Sequence, residues 1–260
     1  MPPIETSRWL QPDVLPGLVE ILETGDIEIL GQVTWGSNYT FLTEIRAEAG
    51  LIPAIYKPER GERPLWDFPY GSLSDRELAA YIISQALDWA LVPPTIMRKD
   101  APAGPGSLQF YVETDPEIHY FTLSETQKQR LRPTALFDLI INNADRKSGH
   151  ILIDEHDHLW LIDHGVCFHE EYKLRTVIWD FVGEDIPQEY LLNLESFKDD
   201  LVPGSDVHTD LSACLSESEI EALLERTSNI LADPIFPPPG SRQTLPLAVG
   251  IIDRFVRLVR

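Results

Sequence analysis

Residues 142–168, Asn142-Asn-Ala-Asp-Arg-Lys-Ser-Gly-His150-Ile-Leu-Ile-Asp-Glu-His-Asp-His158-Leu-Trp-Leu-Ile-Asp163-His-Gly165-Val-Cys-Phe168, decide how this chain is read. Two aspartates stand where apolar segments end. Asp145 follows the run Ala135-Leu-Phe-Asp-Leu-Ile-Ile141, and Asp163 closes Leu159-Trp-Leu-Ile162. The intervening residues read as a short β-hairpin with His156-Asp-His158 at its tip. The question is what chemistry uses one carboxylate at each end of a hairpin.

Upstream of this stretch the patterns are strand-like first and helical afterwards. Ile27-Glu-Ile-Leu30, Tyr39-Thr-Phe-Leu-Thr43 and Leu51-Ile-Pro-Ala-Ile-Tyr-Lys57 alternate and are rich in β-branched or aromatic residues, with a glycine-containing break at Trp35-Gly-Ser-Asn38. From Ser74 to Ala90 the spacing of Leu78, Ile82, Ala86 and Trp89 predicts a helix, which Pro93-Pro94 ends. Ser107-Leu-Gln-Phe-Tyr-Val-Glu113 predicts a further strand after the loop at Lys99–Gly106, and a helix is expected over 124–142. Beyond the hairpin, helices are expected near 187–199, 207–214, 216–231 and 244–259. Strands first and helices later predict an α+β chain in two lobes, a small antiparallel sheet followed by a mostly helical part.

The 260 residues suffice for one large domain of two lobes. Lys and Arg number 21 against 42 Asp and Glu, a net charge of −21, which repels nucleic acid and anionic lipid. Neither is expected as a partner. Cys167 and Cys214 are the only cysteines, too few for a disulfide framework and without C-x-x-C spacing, which suits a reducing cytoplasm. No basic–apolar leader and no apolar run of about 20 residues is present, so no membrane span is expected. The histidines between 150 and 169 raise a metal-hydrolase reading, but they show no H-E-x-x-H or comparable spacing.

Phosphoryl transfer from ATP uses a loop over the phosphates, a strand lysine, a helix glutamate that orients it, a catalytic aspartate and a metal-binding aspartate. This chain offers a candidate for each, in that order. Asp145-Arg-Lys-Ser-Gly-His150 has the spacing of a kinase catalytic loop, and Asp163-His-Gly165 stands where Asp-Phe-Gly would be. Glu77-Leu-Ala-Ala-Tyr81, Leu91-Val-Pro-Pro-Thr95, Gly106-Ser-Leu-Gln-Phe-Tyr-Val-Glu113, Asn143-Ala-Asp-Arg146 and Ile162-Asp-His-Gly165 resemble the phosphatidylinositol 3-/4-kinase-like branch of the protein-kinase-like superfamily, with type II phosphatidylinositol 4-kinases the nearest in motif. The resemblance runs from about residue 31 to 168. It implies a bilobal protein-kinase-like fold, with residues 1–112 as the N-lobe and hinge and 113–260 as the C-lobe.

The resemblance further implies Lys57 as the ATP lysine and Glu77 as its partner. The alternative for Glu77 is a capping box, Ser74-Asp-Arg-Glu77, in which it reaches back to the Ser74 N–H. Gly36, Ser37 and Asn38 would lay backbone N–H groups over the β-phosphate, and Phe110, Tyr111 and Val112 would be the adenine hinge. Asp145 is the implied catalytic base and Asp163 the ligand of a metal bridging the phosphates; Lys147 stands where eukaryotic-type protein kinases often carry a lysine that neutralises the γ-phosphate, and the lipid kinases commonly have another residue there. His150 departs from the family, which usually has asparagine there as second metal ligand; imidazole suits Mn²⁺ better than Mg²⁺. The stretch after Gly165 carries Lys173 and Arg175 as its only cations, a poor match to an anionic lipid head group. The expectation is therefore an ATP- and Mg²⁺- or Mn²⁺-dependent kinase acting on a soluble acceptor, a protein hydroxyl or a small polyol. A pseudokinase scaffold, a phosphoinositide kinase and an adenylyl transferase are the alternatives.

Overall fold

The computed structural model describes residues 14–33, 38–48 and 50–240. Its first part is a five-stranded sheet made from β1 (Asp26–Val33), β2 (Thr40–Ala47), β3 (Gly50–Pro58), β4 (Thr95–Arg98) and β5 (Gly106–Phe110), in the order β1-β2-β3-β5-β4. All neighbours are antiparallel, with Phe41 opposite Tyr56 and Lys57 opposite Ser107. Along β3 the two-residue period buries Ile52, Ala54 and Tyr56, and it turns Ile55 and Lys57 to the other face. Gly106 has no room for a side chain. A Cβ there would lie 2.3 Å from the Lys57 carbonyl oxygen and 2.6 Å from Pro58 Cα.

Two elements of this part differ from the sequence-based expectation. The helix α1 (Leu15–Thr24) precedes the sheet and buries Leu18 and Leu22, four residues apart, against it. The strand β4 follows directly on Pro93-Pro94, which the sequence marks only as a helix stop; four residues are too few to show an alternation. The Pro94 carbonyl accepts from the Phe110 N–H at 2.8 Å, so the double proline leads into the sheet edge.

The expected helix from Ser74 is α2 (Leu73–Ala86), which ends through Asp88 and Ala90 at positive φ. The expected helix over 124–142 is two: α3 (Glu125–Gln129), capped by Ser124 and Gln127, and α4 (Arg132–Ile140), restarted at Leu131 with Pro133 in its first turn. The hairpin is β6 (Ile151–Ile153) and β7 (Leu159–Leu161). Then come α5 (Gln188–Asp200), α6 (Asp206–Ser212) and α7 (Glu217–Ala232). The helix expected over 244–259 lies outside the described residues.

Apolar burial falls into two clusters. The smaller joins the sheet and α1 to Leu152 and Trp160 of the hairpin. The larger is helical and takes in Leu136, Phe137, Phe197 and Leu223 together with Ala79, Ala80 and Ile83 of α2. The helix carrying Glu77 is thus packed into the helical part as well as lying beside the sheet. Among the described residues no helix is long and apolar enough to cross a membrane.

Candidate active site

The catalytic-loop candidate is built on a buried ion pair. Asp138 on α4 and Arg146 are both fully buried, and Arg146 donates to Asp138 through Nε at 3.0 Å and Nη2 at 2.9 Å. Asn143 Nδ2 and Thr176 Oγ1 add hydrogen bonds to the same carboxylate at 2.9 and 3.1 Å. Two such charges are tolerated inside because each is multiply hydrogen-bonded. Arg146 Nη1 also donates to the Ile162 carbonyl at 3.0 Å, tying this loop to the residue before Asp163. Asn143 Oδ1 accepts the Asp145 N–H at 2.9 Å and so sets the backbone from which the Asp145 side chain projects. Asp138, Asn143 and Arg146 went unassigned in the sequence reading. Asn143 and Arg146 stood inside a quoted motif, whereas nothing marked Asp138 within its apolar run.

Asp163 sits at φ 65°, a left-handed conformation that a non-glycine residue adopts only when its surroundings enforce it. Its Oδ1 lies 3.0 Å from Lys57 Nζ and its Oδ2 lies 3.2 Å from His150 Nε2. Lys57 also pairs with Glu77 Oε1. The other Glu77 oxygen accepts the His164 N–H at 3.0 Å, and Ser74 N–H turns instead to Glu62 Oε1 at 3.0 Å. The capping-box alternative for Glu77 is therefore not adopted. Burial opposes the Lys57 ammonium, but the Asp163 and Glu77 carboxylates outweigh it and hold its pKa above that of an ordinary lysine. Lys57 in turn holds Asp163 well below the usual carboxylate range. Two residues on, Gly165 packs closely against α2: a Cβ there would lie 3.3 Å from Leu73 Cβ, so that side chain would have to give by a few tenths of an ångström.

His150 is 6% exposed, and burial, aided by the Arg146 and Lys147 charges, pushes its pKa down to about 3. The ring is neutral. Lys147 N–H donates to Nδ1 at 3.4 Å, which leaves the ring proton on Nε2, facing Asp163. His164 is fully buried and faces Arg146 Nη2 through Nε2 at 3.0 Å; opposite a guanidinium this nitrogen accepts, so its proton is on Nδ1. Burial and then the Arg146 charge keep this imidazole neutral too. The remaining histidines disperse: His158 contacts the Ala90 carbonyl at 2.9 Å, and His169 packs edge-on against Phe68. Among the described residues no three His, Cys, Asp or Glu side chains gather as a metal cage.

Asp145 pairs with Lys147 across 2.7 Å, and both side chains are partly exposed. Burial raises the Asp145 pKa, with Lys147 opposing. The hinge candidates lie at the end of β5 and just beyond it. Phe110 and Val112 are buried in the sheet core, and the Phe110 and Tyr111 N–H groups are engaged by the carbonyls of Pro94 and Pro53. Of the loop candidates, Gly36 and Ser37 lie outside the described residues, and Asn38 uses its side-chain oxygen to accept the Arg63 N–H at 2.7 Å.

The chain is 36% identical to protein Rv2133c of Mycobacterium tuberculosis (strain ATCC 25618 / H37Rv) over 261 aligned residues, covering 87% of this chain and 93% of that protein. The chain belongs to the Rv2133c family. It is also 34% identical over 127 residues to phosphatidylinositol 4-kinase gamma 4 of Oryza sativa subsp. japonica, a match covering 40% of this chain and 22% of the plant protein. The namesake from Arabidopsis thaliana matches at 29% over 155 residues, 48% of this chain and 27% of its own length. No family model matches. Among solved structures, the Golgi casein kinase with Mn/ADP bound superposes with a TM-score of 0.58 at 15% identity, over 87% of this chain and 77% of that one. This Rv2133c-family chain therefore has a protein-kinase-like fold, and under half of it is similar in sequence to a stretch of the plant phosphatidylinositol 4-kinases gamma 4.

Proposed function

We propose that the chain is an ATP-dependent phosphotransferase of the phosphatidylinositol 3-/4-kinase-like branch, moving the γ-phosphate to a hydroxyl of a soluble acceptor, a protein or a small polyol. The observation that carries this reading is Lys57 held between the Glu77 and Asp163 carboxylates, with Asp145 on the adjoining loop. Here Glu77 fixes the lysine, Lys57 meets the α- and β-phosphates, and Ile55 and Ile162 bound the purine from above and below. The lobe boundary falls after Val112. Asn38 and its preceding loop cover the phosphates, and Phe110–Val112 lie along the edge of the base.

Asp145 takes the acceptor proton as the acceptor oxygen attacks phosphorus and the bond to the ADP oxygen breaks; Lys147 offsets charge on the transferred group. Asp163, whose side chain is 47% exposed, and the His150 imidazole would hold one divalent ion beside the phosphates. When bound, Mg²⁺ or Mn²⁺ supplies charge neutralisation on the phosphates. His150 would serve as a ligand only with its proton on Nδ1 rather than Nε2, which would give up the Lys147 N–H contact. That requirement also favours a second reading, a nucleotide-binding scaffold with little turnover. The net charge of −21 and the cysteine count support a cytoplasmic setting and an acceptor that is neither nucleic acid nor anionic membrane.

Thermal unfolding with ATP and either metal tests the site. Ligand at 100 times its dissociation constant adds about 2.7 kcal/mol, roughly 5–10 °C for a chain this size. The shift should require metal and vanish in Asp163→Ala. A shift without label transfer to any acceptor selects the scaffold, and no shift with either metal refutes both readings.

A further inference from the structure

An apolar groove opens on the helical part between α4 and the segment leading towards α5, lined by Leu139, Leu174, Trp179, Val182, Phe236 and Pro237. Leu139 and Trp179 are half-buried, and Val182 and Ile235 are 41% and 42% exposed. The chain itself leaves from the edge of this groove. Gly183 N–H donates to the Phe236 carbonyl at 2.9 Å, Phe236 N–H to the Glu184 carbonyl at 3.0 Å and Ile186 N–H to the Pro234 carbonyl at 2.8 Å, which fixes residues 234–236 against 183–186. Pro237 is part of the wall, and the described residues end three positions later at Gly240.

The sequence that follows matches the groove in pattern, reach and charge. From Thr244, Ala248, Ile251, Ile252, Phe255 and Val259 recur at helical spacing, Pro246 suits a first turn, and Asp253, Arg254, Arg257 and Arg260 make up the remaining arc. A helix of that length measures about 24 Å, and the tether from Pro237 to Thr244 reaches at most about 25 Å, so the helix can lie back over the groove at the high effective concentration of a short linker. Residues 241–260 hold four arginines against one aspartate, in a chain whose net charge is −21. Beside the groove, Asp185 lies opposite Ile235 and Asp233 two residues before it; both are exposed and form no salt bridge among the described residues. The nearby cations are committed elsewhere: Arg132 pairs with Glu184, Lys128 with Asp180, and the Arg175 charge acts on Asp145.

We infer that the occupant of this groove is the chain's own segment 244–259, a helix that lays Ile251, Ile252, Phe255 and Val259 onto Leu139, Trp179 and Val182, with Arg254 and Arg260 at the borders of its apolar face meeting the free carboxylates. A helix with so wide an apolar face needs a partner, and the groove supplies one at the point where the segment begins. Leu174 and Thr176 line the same groove, and Thr176 Oγ1 donates to Asp138 beneath the catalytic-loop candidate, so the docked helix braces that loop from behind. This packing is independent of the phosphotransferase reading.

Hydrogen exchange of the full chain, read by mass spectrometry without nucleotide, tests it. Amides of residues 247–259 should exchange at least about tenfold more slowly than in a synthetic peptide of residues 241–260. Val182→Asp, which sets a carboxylate in the groove at an exposed position, should bring them within about twofold of the peptide while α4 and α7 keep their protection. Phe255→Asp should do the same from the other side and leaves every described residue unchanged. Asp185→Lys with Asp233→Lys should weaken the protection by about threefold or more, as like charges then meet the arginines. Exchange at the peptide's rate in wild type, or protection that survives both Val182→Asp and Phe255→Asp, overturns the inference. Protection that grows with protein concentration alongside a dimer mass in light scattering, or that appears only with vesicles containing anionic lipid, also overturns it, by giving the helix to a second copy or to a membrane.

Discussion

Replacing Arg76 by leucine should loosen the helix that presents Glu77. Arg76 is 1% exposed; it donates to the Cys167 carbonyl at 2.8 Å, pairs with Glu219 at the start of α7, and lies 4.9 Å from the Phe68 ring centroid. Hydrogen bonds to charged groups are worth about 1.5–3 kcal/mol each and the ring contact about 0.5–2, while a buried leucine returns about 1.5–3. The midpoints leave a net cost of about 3.5 kcal/mol, within the range for removing one partner of a buried pair. At 2–4 °C per kcal/mol the unfolding temperature falls by roughly 10 °C. Glu219→Gln provides the control, since glutamine still closes the capping box with Ser216 but lacks the charge. Denaturant or thermal unfolding of both single variants and the double variant should give a coupling of about 1–3 kcal/mol. Additivity within about 0.5 kcal/mol, or a loss in Arg76→Leu below about 1 kcal/mol, refutes the claim that this pair clamps α2 to the helical part.

Three further expectations follow from the geometry. His150→Asn should move the metal preference of the ATP-dependent thermal shift from Mn²⁺ towards Mg²⁺, because an amide oxygen replaces an imidazole nitrogen; an unchanged Mn²⁺:Mg²⁺ ratio argues that His150 is no ligand. Asp75, half-buried, is raised from 3.8 to about 6 by burial, with Glu59 and Glu62 adding to it. The native state therefore binds this proton more tightly than the unfolded chain, and stability falls as pH rises from about 4 to about 6. Asp75→Asn should accordingly melt higher than wild type at pH 7.5 and converge with it below about pH 4, as scanning calorimetry across that range would show. Gly106→Ala puts a Cβ 2.3 Å from the Lys57 carbonyl oxygen, so the β3–β5 pairing must shift. A loss of about 3 kcal/mol or more in urea unfolding is expected, and a loss under 1 kcal/mol would show that the strand accommodates it.

Local patterning reaches a definite depth in this chain. The strand patterns of β2 and β3, the existence of α2 and the hairpin bracketed by Asp145 and Asp163 could be read from neighbouring residues, but the stripe expected on α2, Leu78, Ile82, Ala86 and Trp89, is only partly buried, and the helix buries Ala79, Ala80 and Ile83 together with the polar Arg76 and Glu77 instead. Where an element is short or interrupted, that signal fails: β4 has four residues, and α3 and α4 share an apolar run that Leu131 and Pro133 divide. At Ser74 and Glu77 the local rule pointed to a capping box, and partners distant in sequence prevailed. A carboxylate gains more from a buried ammonium and the His164 N–H than from its own helix terminus.

The sequence by itself determined the α+β order of elements and the candidates Lys57, Glu77, Asp145, His150 and Asp163, since a strand end, a helix start and two hairpin ends carry them. Only the tertiary structure decided that Lys57 reaches Glu77 and Asp163 together, that Asp138 and Arg146 form the buried support of the catalytic-loop candidate, and that Arg76 fastens α2 to α7. It also turned Trp66 outward while Asp67 and Phe68 face in. The physical reason is the same in each case. A charge or a large ring is stabilised by whatever surrounds it in three dimensions, and Arg76 and Glu219, 143 residues apart, leave no periodic trace in the chain between them.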